Sequence, residues 1–143
     1  MSTKDLYNNV VVTASDIPAV RTATLTGAAI DTAGYQSTLV CFDIGNSGDT
    51  LSGSLKWTLT VEESDASGSG YTAVAADDLH NGYASYVIDA PAEDSLVVKF
   101  GYKGNKRYLR GVATATGSHS TGTPIGIFAV KGHPLIVPVA AQA

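Results

Sequence analysis

The chain of 143 residues holds one cysteine, one methionine and one tryptophan, and it is sparing with charge. A lone Cys41 excludes an intramolecular disulfide and a cysteine-based metal cluster. It sits in the apolar run STLVCFDI, which predicts a buried, inert thiol. Charged residues make up 15 %, against roughly 25 % in an average soluble domain. Gly, Ser and Thr replace them, a composition suited to short strands, many turns and a polar surface that tolerates close protein contact. No stretch approaches the ~18 apolar residues of a membrane span. Met1 to Asn9 has no apolar signal core, so synthesis in a reducing cytoplasm is expected.

Basic charge is also scarce. Nine bases stand against 13 acids, a net charge of −4, which gives no global attraction to nucleic acid or to an anionic membrane. The charge is unevenly placed. Eight acids fall between Glu62 and Asp94, and five bases between Lys99 and Arg110. Two solvated loops of opposite sign would explain this, as would subunit docking through complementary patches.

What is present is period-two patterning. In LKWTLTV, Leu55, Trp57, Leu59 and Val61 share one face while Lys56, Thr58 and Thr60 share the other, the pattern of a half-buried antiparallel strand. Trp57 is the expected core anchor. QSTLVCFDI (Gln36 to Ile44) is denser in apolar residues and reads as a central strand. Further strands are predicted at Asn9 to Thr13, Arg21 to Leu25, Tyr83 to Asp89, Ser95 to Tyr102, Lys106 to Thr116 and Ile125 to Lys131. Turn clusters such as GNSGDTLSG, HNG and GSHSTGTP separate them. Only Val74 to Leu79 could form a helical turn. This spacing predicts an all-β, single-domain antiparallel β-sandwich or jelly-roll-like barrel. Residues 1–18 are expected as an N-terminal arm, 19–132 as the domain and 133–143 as an extended C-terminal strap, since Pro134 and Pro138 discourage a central strand.

Chemistry-bearing patterns fail one by one. GYKGNKRYLR (101–110) holds four of the nine bases, but Gly101 and Gly104 are too close for a phosphate loop and strand-like residues follow. Flanked by LVVKFGY and KRYLRGVAT, the KGN connection reads as a β-hairpin tip. A single-strand nucleic-acid groove would carry more aromatics and a positive balance. His80, His119 and His133 are dispersed, with no zinc-ligand spacing. Ser118 and Ser120 flank His119, yet neighbours in a loop rarely meet as nucleophile and base, and no GxSxG elbow exists. The pairs Glu62–Glu63, Asp77–Asp78 and Glu93–Asp94 are adjacent rather than opposed across a cleft. ESDASGSG lacks the spacing of a calcium loop. No catalytic residue, cofactor site or metal site is expected.

The run VVKFGYKGNKRYLRGVATATGSHSTGTPIGIFAVKGHP resembles proteins encoded beside the major capsid gene of many tailed bacteriophages. They share a G-Y-x-G-x-K-R-Y-x-R segment, a T-G-T strand exit and a terminal K-G-H-P. WTLTVEESDASGSGYTAVAADDL is similar to their strand, acidic turn, Y-T-x-V and acidic pair. The likeness spans Leu55 to Leu79 and Val97 to Pro134, and the first 50 residues match loosely. Leu135 follows K-G-H-P where many relatives carry Arg, so a docking role served by that base would be missing.

The resemblance implies a capsid decoration (cement) protein on the outside of the virion, with the major capsid protein as partner, no nucleic acid, no membrane and a homo-oligomer, a trimer among the options. Expected contacts are Leu6, Tyr7, Val10 and Val12 of the N-terminal arm, or the bases Lys106, Arg107 and Arg110. The alternatives are a head–tail connector or tail-tube protein, or a carbohydrate-binding module using Tyr35, Tyr71 and Tyr83.

Overall fold

A computed structural model describes residues 4–139. Ten strands form two antiparallel sheets. They are β1 (Val10–Arg21), β2 (Leu25–Thr26), β3 (Ile30–Asp31), β4 (Tyr35–Ile44), β5 (Lys56–Ser64), β6 (Thr72–Ala73), β7 (Ser85–Ile88), β8 (Leu96–Tyr102), β9 (Tyr108–Thr116) and β10 (Thr123–Pro134). The first sheet runs β1-β10-β4-β8. In the second, β9 and β5 pair centrally, β2 and β3 both pair with β9, and β6 and β7 both pair with β5. If β2/β3 and β6/β7 each count as one interrupted position, the orders become 1-8-3-6 and 2-7-4-5. That is jelly-roll connectivity in a two-sheet sandwich.

Alternation decides the core. Val40, Phe42 and Ile44 on β4, Val98 and Phe100 on β8, and Ile125, Ile127 and Ala129 on β10 turn inward. They meet Trp57, Leu59 and Val61 on β5 and Leu109 and Ala113 on β9. Phe42 meets Phe100 edge to face, with centroids 5.6 Å apart. Gly111 faces this pair; a Cβ there would stand 2.7 Å from Ile127 Cγ2 and 2.9 Å from Phe42 Cζ. Trp57 is fully buried, as its strand pattern requires. Cys41 alternates with Val40 and Phe42 and is buried too, between Phe128 and Lys99 on the neighbouring strands.

Several sequence expectations change. KGN is not a hairpin tip: β8 lies in the first sheet and β9 in the second, so residues 103–107 form a corner between sheets. Local turn chemistry looks alike for both, and only the long-range pairing separates them. Val10 to Pro18, expected within an arm, belong to edge strand β1, paired with β10 and bulged near Asp16. Pro18 is tolerated there because an edge strand leaves one side of its ladder unpaired. The strand expected at Arg21 to Leu25 breaks after Arg21, where the chain leaves for the second sheet. His133 and Pro134, expected in the strap, close β10 opposite Tyr35. Ala76–Asp78 make one 3-10 turn, within the segment expected to turn. Met1–Thr3 of the expected arm and Ala140–Ala143 of the expected strap lie outside the described residues.

Candidate interaction surface

GYKGNKRYLR is organised by one tyrosine. Tyr102 ends β8 with its ring directed inward, and its hydroxyl accepts the Lys106 backbone N–H at 2.9 Å. The same hydroxyl donates to the Glu63 carboxylate on β5, tying the two sheets together at the corner. Burial, then the bond to Glu63, push the phenol well above its ordinary range. Gly104 lies under the ring; a Cβ there would stand 2.5 Å from the hydroxyl oxygen. Tyr102 and Gly104 thus let the chain turn sharply from one sheet to the other.

The three candidate bases are each paired. Lys106 bridges to Asp65, Arg107 forks onto Asp31 with both bonds at 2.9 Å, and Arg110 reaches Glu62 at 2.6 Å. The Arg107 fork holds the Asp31 carboxyl down at about 2. Arg110 also lies 4.0 Å above the centre of the Tyr71 ring. Two of these pairs, Lys106–Asp65 and Arg110–Glu62, join the basic run to the acidic run, so their complementarity is met in part within the chain. Lys106 and Arg107 nonetheless remain 44 % and 54 % exposed.

The corner forms one wall of an open groove of about 900 Å³. Leu6, Val10, Leu39 and Val130 supply apolar lining, Gly132 leaves space beside them, and the His80 side chain covers Gly101. His133 sits at its edge in a left-handed conformation (φ 48°), with Nδ1 2.6 Å from Ser37 Oγ. Sequence reasoning missed this pair because the two residues are 96 positions apart. Among the residues lining the groove no carboxylate orients the imidazole, as a nucleophile–base pair would require. Leu6, Val10, Lys106 and Arg107 all line the groove, so half of the arm candidates and two of the bases meet there. Tyr7 and Val12 do not line it, and Arg110 is held away on the second sheet.

Beside the groove lies a second feature. Leu135 donates its N–H to Gly34 O, and Val139 donates to Asn8 O, so the segment after β10 returns toward Tyr7–Asn9. Leu6, Tyr7, Leu135, Ile136 and Val137 are between 57 % and 81 % exposed. Five large apolar side chains at one end of a polar molecule are unusual for a surface that meets only water.

The opposite end holds a polar lock. Asp49 accepts the N–H groups of Ser120, Thr121 and Gly122 and the Ser120 hydroxyl, which bring its carboxyl to about 2. The His119 ring is buried against Trp57 with centroids 4.6 Å apart, and Nδ1 lies 3.7 Å from Asp49. The Ser120 hydroxyl is thus engaged by Asp49 and not by its neighbour His119. No group of metal-ligating side chains occurs among the described residues. Of the candidate sugar-stacking rings, Tyr35 carries the Lys131 ammonium 4.9 Å from its centre, and Tyr83 packs edge to face on Phe100.

No protein-family model matches this chain, and no curated protein matches it.

Proposed function

We propose that this chain is a structural virion protein of a tailed phage, which binds the outer capsid surface and cements neighbouring major capsid protein subunits. In this reading it has no catalytic role, is made in the host cytoplasm and works as a homo-oligomer, a trimer being one arrangement. The observation that carries the reading is the exposed apolar end formed by Leu6, Tyr7, Leu135, Ile136 and Val137. It projects from a sandwich whose buried core does not include it, which is what a docking surface needs. The sequence likeness to proteins encoded beside capsid genes supports the choice of partner.

The mechanism is bridging. A shell under internal pressure fails where subunits separate. A module spanning two of them adds contact area that must break first, and many copies multiply a modest affinity per site. A jelly roll suits this because its strands cross between sheets at nearly every connection, so load applied at one end reaches the whole core.

Counting copies against the major capsid protein in purified particles tests the proposal. Hundreds of copies support cementing. A single small ring's worth moves the chain to the head–tail axis as a connector or tail-tube protein, and none removes it from the virion. The carbohydrate-binding alternative is less favoured, because Tyr35 and Tyr71 each have a ring face occupied by a cation.

A further inference from the structure

We propose that the groove between the 103–107 corner and the outer face of the first sheet binds an extended protein segment carrying an acidic residue flanked by apolar ones. Three independent features converge there. The first is shape: about 900 Å³ lies within the range of sites that hold a short ligand, roughly 300–1,000 Å³. Gly132 pairs with Ser37 on one side of β4 and leaves the floor open there, while on the other side the His80 side chain lies over Gly101, which pairs with Leu39.

The second feature is charge. Lys103, Lys106 and Arg107 line the groove with His80 and His133, and no Asp or Glu does, although acids outnumber bases 13 to nine in the chain. Lys106 and Arg107 are anchored by Asp65 and Asp31 behind the rim, which fixes their direction while leaving them partly exposed. Lys103 is exposed and makes no ion pair among the described residues. It is the base available to a carboxylate from outside.

The third feature is the apolar bed of Leu39, Val130 and Val10, which a highly charged chain would leave unsatisfied. This separates a peptide from a nucleic acid. A polynucleotide would want open aromatic faces, but Tyr35 is capped by Lys131 and Tyr102 is buried. With Arg107 and Lys106 already paired to Asp31 and Asp65, the wall offers Lys103 as its unpaired lysine or arginine, which suits a single carboxylate better than a continuous run of phosphates.

The two sequence stretches GYKGNKR and KGHP thus act together: the first supplies the basic wall and the second the far edge of the same groove. The inference does not depend on the virion reading, because it concerns the chemistry of a segment and not where the chain resides.

The test is selection of a yeast-displayed random peptide library against the full chain, followed by NMR mapping of an enriched peptide on the 15N-labelled protein. Enriched sequences should share an Asp or Glu beside an apolar residue and shift the Gly101, Lys103 and Gly132 amides. Lys103→Glu should weaken binding about tenfold or more without changing the unfolding temperature, and added salt should weaken it too. No enrichment, enrichment of basic or uncharged peptides, or shifts elsewhere would overturn the inference. So would an oligothymidylate that moves the same amides at lower concentration than the peptide.

Discussion

The Tyr102 hydroxyl on β8 donates to the Glu63 carboxylate on β5 and accepts the Lys106 N–H, so one side chain fixes both the sheet-to-sheet contact and the corner after it. Tyr102→Phe keeps the ring over Gly104 and removes both bonds. A half-buried donor and acceptor then lose their partner, at a cost of about 1–2 kcal/mol. Denaturant unfolding measures it. An unchanged midpoint would show that the ring alone holds the corner.

Trp57 Nε1 donates to Thr123 Oγ1 at 3.0 Å, and that hydroxyl donates on to Ser47 Oγ at 2.8 Å, linking β5 to β10 and to the loop after β4. Thr123→Val preserves shape but strands a buried indole N–H. The expected loss is about 1–3 kcal/mol. The single tryptophan reports it, since emission of Trp57 follows unfolding directly.

Asp49 should make stability depend on acid pH in a defined direction. Its carboxyl is lowered in the folded chain to about 2 from an ordinary 3.8, first by the N–H groups of Thr121 and Gly122. A lowered folded value means that this contribution is complete above pH 3.8 and is lost as pH falls through about 2. Asp31 behaves the same way through Arg107. Thermal unfolding across this window should fall less steeply in Asp49→Asn than in the parent chain. Parallel curves would mean that the carboxylate charge contributes nothing.

Leu135→Asp and Ile136→Asp should leave unfolding within about 0.5 kcal/mol, because both side chains already face solvent. Particle binding should weaken by about tenfold or more if this end docks. Co-sedimentation with undecorated capsids reads the difference. Binding equal to that of the parent chain would exclude the apolar end as the contact.

Cys41 should resist a thiol reagent in the folded chain and react on unfolding. Burial raises its thiol, which Phe128 and Lys99 flank on the face of β4 opposite the core residues Val40 and Phe42. A fast reaction under native conditions would show that these neighbours do not shield the thiol.

Much of the sandwich was legible in local sequence. Alternation in LKWTLTV specified β5, its inward face and Trp57, because a strand's side-chain period is two whatever its neighbours are. The apolar density of Gln36 to Ile44 marked β4 as central, since both of its flanks are occupied, by β10 and β8. β3 and β6 escaped because two-residue strands carry no periodicity. The length of β1 escaped because Asp16 and Pro18 mimic a loop, and the bulge that admits them exists only in the pairing with β10.

The sequence by itself determined an all-β chain, its principal strands, its buried anchors and the absence of disulfide staples. These follow from side-chain period and residue type, which act over a few residues. Only the tertiary structure decided that KGN turns between sheets, that Asp31 and Asp65 had already claimed Arg107 and Lys106, and that Leu6, Lys103 and His133 share one groove. Those relations join residues tens of positions apart. They are settled by which strand lies beside which, a choice made by the energy of the whole core and not by any local run of residues.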